Sequence, residues 1–137
     1  MKNSKLQKML KAHKLWIDSD KNQGEPANFR GADLRDVDLR EVDLSGANFY
    51  KTNFRGCDLY KTNFRGSDLR ETDFRGSNLR EADLREVDLR GSDLRETNLR
   101  ETDFRGSDLR ETDFRGADIC ETDFRETDLD FFDGNFA

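Results

Sequence analysis

Residues 67–86 read Ser67-Asp68-Leu69-Arg70-Glu71, Thr72-Asp73-Phe74-Arg75-Gly76, Ser77-Asn78-Leu79-Arg80-Glu81 and Ala82-Asp83-Leu84-Arg85-Glu86. Four times in succession the chain sets down a small or β-branched residue, Asp or Asn, a large apolar residue, Arg, and then Gly or an acid. Outward in both directions the register holds without a gap from Ala27 to Asp130, twenty-one units in all, with the large apolar residue always at a position numbered 5n+4. Only small or β-branched types, such as Ala27, Val37, Thr52, Cys57 and Ser67, stand two residues before it.

A strict period of five fits neither the 3.6 spacing of a helix nor the alternation of a strand. A fixed internal period of this kind is the mark of a repeat architecture. The physical solution is a coil in which each unit makes one short side and one corner. Four sides close a square turn of about 20 residues, stacked on the next at the strand spacing of about 4.8 Å. The large and small apolar positions then point inward and the others outward.

Units such as Ala32-Asp33-Leu34-Arg35-Asp36 and Ser67-Asp68-Leu69-Arg70-Glu71 resemble the pentapeptide-repeat family, whose motif is A(D/N)LXX. The resemblance covers residues 27–130. It implies an all-β fold, a right-handed quadrilateral parallel β-helix of about five coils.

Hydrophobic residues make up 33% of the 137 and charged residues 39%, which in an aperiodic chain would argue for weak burial. A narrow core needs only two inward positions in five, so this suffices for one solenoid domain whose open ends require covers. Residues 1–26 supply one. Leu6, Met9, Leu10, His13, Trp16 and Ile17 recur at helical spacing over 3–18, with Lys5, Lys8, Lys11 and Lys14 between them, which predicts a short capping α-helix. A basic membrane-surface helix has a similar composition. Capping outweighs it, because so few apolar turns bind a bilayer weakly whereas a core end must be hidden. The His13 to Trp16 segment also resembles the leader that often precedes the repeats in bacterial members of the family, and Gly24 and Pro26 mark a turn-rich approach to the first coil. In residues 131–137 the register breaks, and Phe131, Phe132 and Phe136 are expected either to fold back over the last coil or to join two copies end to end. A monomer is favoured, since this segment is too short for the C-terminal helix that the resemblance associates with dimers of gyrase-protecting members.

The net charge is −6; residues 1–26 hold six Lys against Asp18, Asp20 and Glu25, so the remainder, with 18 basic and 27 acidic residues, carries −9. An acidic rod underlies the DNA-mimic role that the resemblance brings with it, directed at DNA gyrase or topoisomerase. Sixteen of the twenty-one units, however, place Arg directly after the apolar residue, which predicts a lattice of ion pairs. Arg35, Arg55, Arg75, Arg95 and Arg115 share one side, but so do Asp33, Asp73, Asp93 and Asp113, so direct nucleic-acid binding is not expected.

Chemistry is sparse. The only histidine, His13, falls in the predicted helix, and carboxylates repeat on every unit with none set apart for acid–base work. No catalytic, metal or cofactor site is expected, and no enzyme activity. The repeat Thr, Thr52 through Thr127, occupy the inward small position, which removes the outward Thr ladder of an ice-binding surface. Cys57 and Cys120 lie about three coils apart, roughly 14 Å, too far for a disulfide. A reduced, cytoplasmic protein fits, with no signal peptide or membrane span in the sequence. Gly at the fifth position, as in Gly66 and Gly76, predicts a type II turn with positive φ, and Glu at the same position, as in Glu81 and Glu101, predicts a different turn and therefore mixed corners.

What remains is a rigid surface for an unidentified protein partner. The candidate contacts are the residues that interrupt the Arg pattern, Tyr50, Tyr60, Cys120 and Ser45, with Lys51 and Lys61 beside the tyrosines and Phe131, Phe132 and Phe136 at the end. Tyr50 and Tyr60 belong to different sides of a four-unit turn.

Overall fold

The computed structural model describes residues 1–130 and Phe136. Parallel bridges join the Asp or Asn of each unit to the one twenty residues ahead, from Asn28 with Asn48 to Asp108 with Asp128. A step of twenty means four five-residue units per turn, so the coil is four-sided. Each side is so short that only one residue per unit bridges.

Three backbone hydrogen bonds recur through the inner coils. Asp83 N–H donates back to the Thr62 carbonyl at 3.0 Å, Leu84 N–H donates forward to Asp103 at 2.8 Å, and the fifth residue, Glu86, donates forward to Arg105 at 3.0 Å. The large apolar side chains fill the axis, with Leu34 through Phe114 at most 2% exposed. Each such side chain contributes about 1.5–3 kcal/mol by leaving water. Phenylalanines one coil apart stack face to face, Phe54 on Phe74 at 4.8 Å between centroids and 3° between planes. The repeat threonines turn inward, and their hydroxyls donate to main-chain carbonyls inside the coil: Thr52 to Phe29 at 2.7 Å, Thr102 to Leu79 at 2.7 Å. β-Branched polar residues thus fill the narrow position without leaving a buried hydroxyl unpaired.

The expectation of mixed corners is overturned. Every fifth residue from Gly31 to Glu126 has positive φ, Glu81 at 57° and Glu101 at 59° as surely as Gly66 at 69°. Most corners are closed by a bond from the next residue back to the apolar carbonyl, Ala82 to Leu79 at 3.0 Å, and the preceding N–H is taken by the Asp or Asn side chain, Arg80 N–H to Asn78 Oδ1 at 3.1 Å. With the Glu81 N–H also committed to Arg100 at 3.0 Å, the corner is over-determined. Tertiary bonding therefore holds a non-glycine residue in the left-handed region that its own preference disfavours.

The chain's helix, α1 (Asn3–Asp18), lies over the first coil with Leu6 and His13 buried and Met9 and Leu10 against the core. His13 is the joint. Its Nδ1 accepts the Ala27 N–H at 2.9 Å, which fixes the imidazole neutral, and burial lowers its pKa against the opposing pull of Asp43 and the Ser45 backbone. Gly24 is needed where the chain turns back, because at φ 74° any Cβ would fall on the Ala12 carbonyl and within 2.8 Å of the Trp16 nitrogen. Trp16 in turn rests on the Gly46 corner.

Candidate protein-interaction surface

The outer surface is written by the Asp and the Arg of each unit. Asp38 Oδ1 accepts the Arg40 N–H at 3.1 Å, the local turn that Asp and Asn favour, and this leaves the carboxylate facing the Arg side chain. The guanidinium then closes a fork, Nε to Oδ1 at 2.8 Å and Nη2 to Oδ2 at 2.7 Å. A longer contact ties it to the next coil, 3.7 Å from Asp58. The same arrangement repeats at Arg70, Arg75, Arg85, Arg90, Arg95, Arg105 and Arg110. These forks hold the Asp33, Asp38 and Asp123 carboxyls down at about 2 through hydrogen bonds from Arg35, Arg40 and Arg125. The predicted ion-pair lattice is present, and its arginines are committed to their own carboxylates.

Sequence reasoning missed where the lattice opens. Asn replaces Asp at positions 28, 53, 63, 78 and 98, so Arg30, Arg55, Arg65, Arg80 and Arg100 have no second-position carboxylate to close a fork with. Arg65 turns to Glu86 at 3.6 Å and Arg100 to Asp118 at 4.0 Å, while among the described residues Arg80 makes no ion pair. The signal was legible as Asp against Asn at the second position, a distinction the period treats as neutral.

The structure places the sequence-predicted contacts on separate sides. Tyr50 lies between two guanidinium groups of its own side, Arg30 at 5.0 Å and Arg70 at 4.9 Å from the ring centroid, with Lys51 at 5.3 Å. It ends a groove of about 500 Å³ that runs along Arg70, Glu71, Arg90 and Arg110 to Asp130. Tyr60 stands on another side with Lys61 at 5.4 Å, and a hydrogen bond with Glu81 raises its pKa. Cys120 shares the side of Tyr60, since Asp58, Asn78, Asn98 and Asp118 form one column of bridges, but Arg80 and Arg100 intervene. Ser45 is occupied by Asp43 at 2.6 Å. Phe136 stacks on Phe114 at 5.0 Å and meets Phe124 edge-on at 6.4 Å. Phe131 and Phe132 lie outside the described residues.

A second groove, of about 690 Å³, opens between α1 and the first coil, with Leu10, Ile17 and Val42 at its base and Lys8, Lys11 and Glu41 among its walls. The lysines that border it, Lys8, Lys11 and Lys14, recur every three residues, a spacing that marked a helix face but not what the face would border.

Both cysteines are free thiols. Cys57 is buried, donates to the Leu34 carbonyl at 2.7 Å, and burial pushes its thiol up to about 11. Cys120 is exposed. Among the described residues no group of His, Cys, Asp and Glu is arranged to hold a metal ion, and no helix is long and apolar enough to cross a membrane.

A four-sided β-helix with an outer Arg–Asp lattice defines a repeat solenoid. The pentapeptide-repeat model matches residues 27–66, 57–95 and 97–130, in eight copies, and the chain belongs to that family, whose fold is the right-handed quadrilateral β-helix. Among solved structures it is similar to Rfr23, a pentapeptide repeat protein of the cyanobacterium Cyanothece 51142, at 22% identity over 76% of this chain and 86% of that one, TM-score 0.65. It is also similar to alr5209 of Nostoc Pcc 7120, at 23% identity over 88% and 93%, TM-score 0.50. QnrB1, a plasmid-mediated fluoroquinolone resistance protein, superposes less well, at 23% identity over 75% and 64%, TM-score 0.40. No curated protein is significantly similar in sequence.

Proposed function

We propose that this protein is a non-enzymatic, rigid scaffold that binds another protein through the side of the coil carrying Tyr50 and Lys51. The observation that carries the reading is the Tyr50 ring held between Arg30 and Arg70 at the mouth of the groove. Most other outward fourth positions are arginines locked to carboxylates, and exposed pairs of that kind add little to recognition. Tyr50 offers instead an aromatic surface with its rotamer fixed by two cations, the sort of residue that anchors interfaces. Tyr60, Lys61, Cys120 and the terminal phenylalanines are secondary contacts in this reading, available to a partner that wraps more than one side. No cofactor is required, and a reducing, cytoplasmic setting suits the two free thiols.

The test is capture from a lysate of the source organism with immobilised protein, comparing the native chain with Tyr50→Ala and with Tyr60→Ala. A partner retained by the native chain and lost specifically with Tyr50→Ala supports the assignment. A partner held equally by both variants refutes it. The competing reading, a DNA mimic acting on gyrase, draws on the −9 net charge beyond residue 26. The forks argue against it, since each bound guanidinium cancels a carboxylate where a phosphate array would show unbroken negative charge. Inhibition of gyrase supercoiling at low micromolar protein would reverse that preference.

A further inference from the structure

The two ends of the rod carry opposite charge. Residues 1–30 hold six Lys and Arg30 against Asp18, Asp20 and Glu25, a net of +4. The last coil, residues 111–130, holds eight carboxylates against Arg115 and Arg125, a net of −6. Between them, residues 31–50 hold Arg35 and Arg40 against five acids, a net of −3, and residues 51–110 balance thirteen basic with thirteen acidic residues, so the positive charge is confined to the leader and the strongest negative charge to the last coil.

The acidic end is also where the core surfaces. Ile119 is 40% exposed, Phe124 and Leu129 are only partly buried, and Phe136, 42% exposed, stacks on Phe114 and touches Phe124 only edge-on. One coil earlier, the Leu99 and Glu101 N–H groups donate to Asp118 at 2.9 Å and Cys120 at 3.1 Å; among the described residues the equivalent N–H groups of Ile119 and Glu121 find no acceptor. Among the described residues this end presents Ile119, Phe124 and Leu129 within an acidic rim of Asp118, Glu121 and Glu126.

The basic end has the complementary form. With Leu6 and His13 turned toward the coil, α1 carries Lys8, Lys11 and Leu15 on its exposed sides, within one or two turns of each other, with Lys8 and Lys11 at the outer rim of the groove beside the first coil. Leu15 is 45% exposed and Met1 40%. Neither Lys8 nor Lys11 makes an ion pair among the described residues, Lys14 alone in α1 pairing with Asp18.

We propose that the C-terminal end of the coil docks the outer face of α1 of a second copy of this chain, so that molecules associate head to tail. Charge selects this polarity. Two C-terminal ends face to face would oppose −6 with −6, and two leaders +4 with +4; only the mixed contact is attractive. The contact is heterologous, with each copy offering both faces, so it extends rather than closes. It is independent of the Tyr50 side, which runs along the coil rather than across its end.

Charge reversal at one end at a time tests the polarity. A head variant, Lys8→Glu with Lys11→Glu, and a tail variant, Glu121→Lys with Glu126→Lys, alter only exposed side chains. By sedimentation equilibrium at about 0.5 mM protein and low salt, where a Kd near 0.1 mM fills most sites, the native chain is expected above its 16.0 kDa monomer mass. Each variant alone should stay monomeric, while an equimolar mixture, in which the native tail of one meets the native head of the other, should again rise above the monomer mass. Raising salt to about 0.5 M should dissolve the pair. Self-association of the head variant alone would show a tail-to-tail contact and overturn the proposal. So would a native chain that remains monomeric throughout.

Discussion

Replacing Glu101 with glycine should stabilise this protein, although the change removes a charge and introduces the most flexible residue. Glu101 sits at a corner with φ 59°, is exposed, and forms no ion pair among the described residues. A non-glycine residue in the left-handed region costs about 1–2 kcal/mol, and glycine escapes that cost. Against it, glycine widens the unfolded ensemble and gives back about 0.4–1 kcal/mol. The balance is a gain of about 0.5–1 kcal/mol, or about 2–3 °C in Tm for a chain of this size. The bond that fixes the corner, from the residue 101 N–H to the Cys120 carbonyl at 3.1 Å, is untouched. Glu101→Ala separates strain from charge, because alanine keeps the backbone penalty and loses the carboxylate, so it should leave Tm nearly unchanged. The reverse change is graded by its surroundings. Gly66→Ala meets open space and should cost about 1 kcal/mol, the strain alone. Gly24→Ala places a methyl on the Ala12 carbonyl and should cost more by lifting α1. A fall in Tm for Glu101→Gly with Glu101→Ala unchanged would refute the reasoning.

Three further outcomes follow from the core and the termini. Leu79→Ala, at a position with no exposure and rigid coils above and below, should lower stability by about 2–5 kcal/mol, read as a shifted urea midpoint with an unchanged m value. Because His13 has its pKa lowered in the folded state, its contribution is intact above about pH 6.5 and is lost as pH falls below it; a thermal-stability profile should decline between about pH 7 and 5, and His13→Leu should flatten that limb. The Asp33, Asp38 and Asp123 carboxyls, held at about 2, contribute a separate loss confined to pH below about 4. A thiol reagent should modify Cys120 in the native protein within seconds to minutes and Cys57 only on unfolding, since burial raises the Cys57 thiol to about 11; equal rates would contradict the buried position.

The architecture was legible because one rule governs both sequence and structure: the large residue at every 5n+4 position and the small one two before it are the two that meet across the axis. α1 was legible for the same reason, its Leu6, Leu10 and His13 recurring at the spacing that brings them to one face. The corners were not. Gly66 and Glu81 differ in intrinsic preference, so a local reading assigns them different turns, while the hydrogen bond that equalises them reaches nineteen residues ahead, from Glu81 to Arg100. The open places in the lattice escaped for a related reason. Asn78 and Asp83 make the same turn bond to the N–H two residues on, at 3.1 Å in each case, so the fold does not distinguish them. Only the Arg side chain does, pairing with Asp83 at 2.6 Å and not with Asn78.

That difference bears on what the surface can recognise. An Arg held by its own carboxylate must break a fork before it meets a partner, and the carboxylate it leaves must be resolvated or paired again, so the gain from the new contact is offset by the loss of the old. Arg80 and Arg100 face no such exchange within their own unit, and Tyr50 meets Arg70 through the ring face rather than through the Asp68 fork, which stays closed at 2.7 Å. On the proposed function, recognition by this coil therefore concentrates where the second position is Asn or the fourth is not Arg. Its specificity would then lie in the few units that depart from the rule, because only there is a side chain free of the exchange that every fork imposes.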